Sequence, residues 1–209
     1  MERVRGGGNG AGVAFENPLE LRIGSRVNVP FSNGPEFENY DFTVKEIREF
    51  TRRIGAQDFR FTDYVLAGVN KSSFDADQTL TVKLRTVPNK AGGKDSLLLR
   101  LYDEFGFAED FLAVVKDDTG VFEMTDDEPA ASATFSRIND LRTSYEAAVL
   151  AVSETTPDGK ATQGKTEVVK VEYWDYWREL EGGGKEFVFV EMNSDSGWIQ
   201  IWRGREFFT

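Results

Sequence analysis

Four carboxylates, Asp175, Glu179, Glu191 and Asp195, lie among the four tryptophans Trp174, Trp177, Trp198 and Trp202, in the stretches VEYWDYWREL and FVFVEMNSDSGWIQIWRG. Two acids facing each other across an aromatic cleft are what glycoside hydrolysis requires, and indole faces stack on sugar rings. Sequence spacing does not set a carboxylate separation, however, and Asp195 sits in NSDSG, a run of turn-forming residues. Calcium would need carboxylates in a fixed loop. DADQT (75–79), KDDTG (116–120) and TDDE (125–128) are acidic, but none has the spacing of a calcium loop with its distant glutamate. Histidine and cysteine are both absent, which removes Ser-His-Asp and Cys-His catalysis, the usual zinc sites and disulfides. Gly6, Gly7, Gly8, Gly10 and Gly12 have no strand before them to make a phosphate loop, and read as a flexible leader. The expectation is a non-enzyme with no catalytic residues, no metal and no cofactor.

The formal net charge is −11. An acidic chain repels nucleic-acid phosphates and anionic membrane surfaces alike. Arg48, Arg52 and Arg53 form the one dense basic cluster. MERVRGGGNGAG carries charges and glycines where a signal peptide would be apolar, and no run reaches the length of a membrane-spanning helix. A soluble, cytoplasmic protein is expected.

The elements that must position any site read mainly as short strands between turns. LELRIGSRVNV alternates apolar and polar residues, and YDFTVKEIREFTRRI pairs across a turn at Gly55 with the strand that follows. TLTVKLRTV alternates Leu80, Val82 and Leu84 with Thr81, Lys83 and Arg85. Asp118-Thr119-Gly120 predicts a hairpin between FLAVV and VFEM. Over 137–152 the spacing of Ile138, Leu141, Tyr145, Ala148, Val149 and Val152 predicts a helix, although SYEAAVLAVSE alone also suits a strand. The last part is a three-stranded antiparallel meander turning at EGGGK and NSDSG. The fold class is α+β, mainly β, with antiparallel sheets or meanders and one or few helices. A Gly-rich tail (1–17) precedes a β-rich part (18–129) and a part (130–209) that holds the helix or strand and the meander, packed as one unit.

If Met192 opposes Trp198, then Val188, Val190 and Met192 share a face with Trp198 and Trp202. Phe187, Phe189, Ile199 and Ile201 then take the other face. Both faces are oily, so both need cover. The cover is either the protein's own core or a partner. Trp174, Tyr176, Trp177, Trp198 and Trp202 are the candidate binding residues of an aromatic patch, since interfaces favour such side chains.

LLLRLYDEFGFAEDFLAVVKDDTGVFEM and YWDYWRE with FVFVEMNSDSGWIQIWRGREF resemble the uncharacterised bacterial YjfK-like proteins in aromatic spacing and turn positions, over about half the chain. The resemblance implies a small accessory protein working beside a PspA-type membrane-stress protein, and it brings no established catalytic residue. The expected function is therefore a protein-binding or scaffold module, or one that self-associates. Two alternatives stand: a carbohydrate-binding or carbohydrate-active protein using Trp stacking, and a structural subunit of a self-assembling particle.

Overall fold

Alternation along a strand gives it two faces, and strands this long need cover on both. In this computed structural model the strands solve the problem by curling. The structure describes residues 21–29, 35–54, 57–71, 79–88, 94–125, 132–138, 143–151 and 166–207. In chain order the strands are β1 (Arg26–Val27), β2 (Tyr40–Ile54), β3 (Gln57–Asn70), β4 (Thr79–Pro88) and β5 (Lys94–Phe105). The helix α1 (Glu109–Val115) follows. Then come β6 (Val121–Thr125), β7 (Ser132–Arg137), β8 (Thr143–Ala151), β9 (Thr166–Glu179), β10 (Lys185–Asn193) and β11 (Ile199–Glu206).

All the pairings are antiparallel. β2 through β5 form a meander, β5 pairs with β11, and β11, β10 and β9 run back in order. β8 then bridges β9 to β2. This circuit closes an eight-stranded barrel, which leaves none of those strands as a bare edge. β9 is shared: Thr166 to Tyr173 pair with β8, whereas Tyr176 and Trp177 pair with β7, which carries β6 outward as a hairpin.

Each half of the barrel's outer surface has its own cover. Over β2–β5, Phe42, Val44, Tyr64, Leu66, Val82, Leu84 and Leu98 are buried beneath Val27, Val29, Phe37 and the C-terminal Phe207. Over β9–β11, Trp174, Tyr176, Val188, Val190, Met192, Ile199 and Ile201 pack against Leu112 and Val115 of α1 and against the β6–β7 hairpin. The end of α1 is tied down by Arg137, whose Nη2 donates to the carbonyls of Val115 and Asp117, and by Tyr176, whose hydroxyl donates to Val115. These contacts satisfy helix-end acceptors that would otherwise lack partners.

The fold is mainly β, as the alternation predicts, and among the described residues its helical content is one seven-residue α-helix and a three-residue 3-10 turn at Pro35–Phe37. Three local expectations are corrected. The helix expected over 137–152 is absent: Thr143–Ala151 is strand β8, held between β2 and β9, and Ile138 lies exposed just after β7. Residues 139–142 fall outside the described set, as do the Gly-rich tail and two acidic runs, at 75–78 and 126–128. The spacing misled because short apolar runs fit both periods, and pairing on two sides decides for the strand. FLAVV is helical rather than a hairpin strand. Glu109 and Asp110 favour its N-terminal turn, and Leu112 and Val115 share the buried face.

The meander exists, but its register is shifted by one residue: Met192 opposes Ile199, Val190 opposes Ile201, and Phe189 opposes Trp202. Asn193 explains the shift. Its amide donates to the Trp198 carbonyl, and its Oδ1 accepts from the amides of Asp195 and Ser196, so the loop is closed by Asn193 and Trp198. Ile199 and Ile201 therefore join the outer face and Trp202 turns inward.

Candidate functional site

The inward face of the barrel combines rings and charges. Phe50, Phe61 and Tyr173 form one buried group; Leu97, Leu99, Phe189 and Trp202 form another. Between them lie Asp63 on β3, Lys83 and Arg85 on β4, and Glu191 on β10. Lys83 and Arg85 are among the most completely enclosed side chains, at 0% and 1% exposure. Register places them there. Asp63 is opposite Arg85, and Lys83 is opposite Val65 on one side and Leu99 on the other.

Arg85 donates bidentately to Asp63, from Nε and Nη2 at 2.8 Å each, and also to Glu191. Lys83 donates to Glu191 at 2.7 Å, sits 3.4 Å from Asp63, and lies 4.0 Å above the Trp202 ring. The Arg85 guanidinium also lies over Phe189 and Phe50.

Burial on its own would push the Glu191 carboxyl up. Attraction to Lys83 and Arg85, with a hydrogen bond from each, outweighs burial and holds it well below the usual carboxylate range. Burial drags the Lys83 ammonium down while Glu191 and Asp63 pull it back. At the 2.7 Å contact the ion pair sets the protonation of both groups, and the carboxylate's downward shift governs. A general acid or base needs a proton affinity near the working pH, and Glu191 is far from it. Two cations balance two anions within these four groups, and Arg48 opposite Asp63 is itself paired with Glu46, so the charges here are spent on one another. Its chemistry is that of a lock between strands on opposite sides of the barrel.

Sequence reasoning missed this cluster because Lys83 and Arg85 read as the polar half of an ordinary alternation. The available signal was an acid at the end of an apolar run in each strand, Asp63 before YVLAGV and Glu191 after FVFV.

The five aromatic candidates are not gathered on one surface. Trp174 and Tyr176 are buried under α1 and the β6–β7 hairpin, and Trp202 is buried in the barrel. Trp177 is half-buried at the far end of β9, beside the Lys185 ammonium. Trp198 alone is open, at 46% exposure. The acids are dispersed as well. Asp175 and Glu191 are buried, whereas Glu179 and Asp195 are exposed at opposite ends of β10's neighbours. Among the described residues, no group of three metal-ligating side chains converges, and no helix is long and apolar enough to cross a membrane.

Trp198 has a neighbour that composition did not reveal. Phe107, between β5 and α1, is the most exposed of the large hydrophobic residues among those described, at 64%. It lies across Gly197, where an added Cβ would come within 3.2 Å of the Phe107 Cβ. Gly197 also has φ +70°, so glycine is required there on two counts. The Trp198 indole is oriented by Glu104, whose Oε2 accepts from Trp198 Nε1 at 3.4 Å and from Gln200 Nε2 at 3.1 Å. The exposed aromatic pair therefore stands on two adjoining turns at one end of the barrel, with a fixed carboxylate beside it. No protein-family model matches the chain, and neither a curated protein nor a solved structure matches it.

Proposed function

We propose that the protein is a non-enzymatic binding or scaffold module whose contact surface is the barrel end bearing Phe107 and Trp198. The observation that carries this reading is the exposure of Phe107 and Trp198 on adjoining turns, with Phe107 against Gly197, while Trp174, Tyr176, Phe189 and Trp202 are buried. Interfaces favour exposed Trp and Phe at their centres, and a rigid β-platform holds such anchors at little entropic cost. The ion-paired barrel interior supports a structural role for the interior and leaves the outside to do the binding. The resemblance to YjfK-like proteins supports an accessory role in bacterial membrane stress and makes a PspA-type protein the first partner to try.

The test compares wild type with a Phe107→Ala/Trp198→Ala double variant in co-purification with a PspA-type protein, alongside light scattering for self-association. Loss of association in a variant that unfolds at the same urea concentration supports the reading; association unchanged by the double substitution refutes it. Titration with oligosaccharides, followed by tryptophan emission, tests the carbohydrate alternative. Trp198 is the one fully open indole available for stacking.

A further inference from the structure

We infer that the segment docking on Phe107 and Trp198 is a basic, amphipathic stretch of a partner protein; this rests on the reading of that end as the contact surface. DEFGFAED (103–110), which runs from the end of β5 through the Phe107 turn into α1, and the turn NSDSGW (193–198) contain Asp103, Glu104, Glu109, Asp110 and Asp195 and no lysine or arginine. All five carboxylates lie on exposed residues. Lys170 adjoins the second turn through its carbonyl, which accepts from the Ser194 amide, and it is the lysine that the described hydrogen bonds bring to these acids.

The chemistry of the occupant follows from charge complementarity. A second copy docking by this same end would bring acid against acid, and an anionic membrane surface would be repelled in the same way. A partner arginine or lysine laid over the Trp198 ring gains a cation–π contact and meets Glu104 directly. The Glu104 carboxylate is already held at the ring edge by Trp198 Nε1 and Gln200 Nε2, so the acceptor is pre-oriented. An apolar side chain next to that cation covers Phe107, whose exposed ring is otherwise left in water. The net charge of −11 steers such a segment from a distance and makes its arrival sensitive to salt.

The experiment uses fluorescently labelled amphipathic peptides of the same length, one of Leu and Lys, one of Leu and Glu and one of Leu and Ser, titrated with the full chain. The Leu/Lys peptide is expected to bind, to weaken as salt is added, and to lose about tenfold in affinity on Trp198→Ala or on Glu104→Gln. Equal binding of the Leu/Ser or Leu/Glu peptide, no binding of the Leu/Lys peptide, or Leu/Lys binding indifferent to Trp198→Ala overturns the inference. The same Leu/Lys peptide is added to the co-purification described above. If the double variant loses the partner but the peptide does not compete, the basic-segment inference fails and the surface reading stands. If the double variant keeps the partner, the surface reading itself fails.

Discussion

Replacing Glu191 by Gln tests the buried charge cluster most directly. The wild-type cluster balances Lys83 and Arg85 against Asp63 and Glu191. Glutamine keeps the volume but removes one negative charge, so Lys83 and Arg85 must share Asp63, with the Arg48–Glu46 pair of β2 nearby. Arg85 already uses both oxygens of Asp63, and Lys83 is left with the 3.4 Å contact to it. An uncompensated charge in such an interior costs about 3–5 kcal/mol, a large share of the ~5–15 kcal/mol that holds an ordinary domain together.

The second arm is Lys83→Met with Glu191→Leu. That pair leaves the bidentate Arg85–Asp63 bridge intact and the interior neutral, so stability returns to within about 1.5 kcal/mol of wild type. Urea unfolding of wild type, both single variants and the double variant gives the coupling energy as a cycle. A Glu191→Gln loss below about 1 kcal/mol, or a double variant no better than the worse single variant, would show that the barrel tolerates the loose charge and that the lock reading is wrong.

The same cluster fixes an acid response. The folded carboxyl of Glu191 is held below its unfolded value, so its contribution is complete above the ordinary carboxylate pKa of about 4.3. It drains as pH falls from there toward the folded pKa. Glu191→Gln lacks that part of the acid loss and flattens the profile.

Three further predictions separate the rings and the close approaches. Trp174→Ala and Trp202→Ala each cost about 3–5 kcal/mol because both indoles are buried, whereas Trp198→Ala stays within about 0.5 kcal/mol; equal unfolding midpoints for the three would contradict the burial. Gly204→Ala places a Cβ 1.8 Å from the Leu98 carbonyl oxygen, so β5 and β11 must part; a drop in unfolding free energy of about 3 kcal/mol or more is expected, and an unchanged Tm would disprove the contact. Tyr64 is pushed up to about 12 by burial and, secondarily, by Glu49. Its share of stability is whole below the ordinary phenol value of about 10 and is lost as pH climbs through 12. Ultraviolet titration of wild type against Tyr64→Phe should show the missing phenol as the late one, and a missing phenol near pH 10 would count against it.

Much of the strand pattern was legible because it is local. The hairpin of β2 and β3 and the order β9–β10–β11 follow from alternation and turn residues; both faces of that ribbon are covered, the outer one oily and the inner one mixing rings with Asp175 and Glu191. The register was not legible, since it hinges on how the Asn193 side chain caps the loop, and one residue's slip sends Ile199, Ile201 and Trp202 to opposite faces. Closure of the barrel was hidden for another reason. The β2–β8 and β5–β11 pairings join distant segments, and nothing within either segment advertises its mate. Of the candidate aromatic site, Trp198 survives as an exposed residue. Phe107 escaped notice because exposure depends on where the chain turns after β5, not on the residue's type.

The closed circuit of strands carries a consequence for biosynthesis. Lys83 and Glu191 are 108 residues apart in sequence, and β5 finds its second neighbour, beyond β4, only in β11. While the ribosome is still making the second half, the first four barrel strands therefore have two raw margins, and Lys83 and Arg85 share Asp63 without Glu191. Such long-range closure is slow, and the nascent half is the species most exposed to self-adhesion. Shortening the chain before β11 would leave this protein stalled at that stage rather than merely smaller.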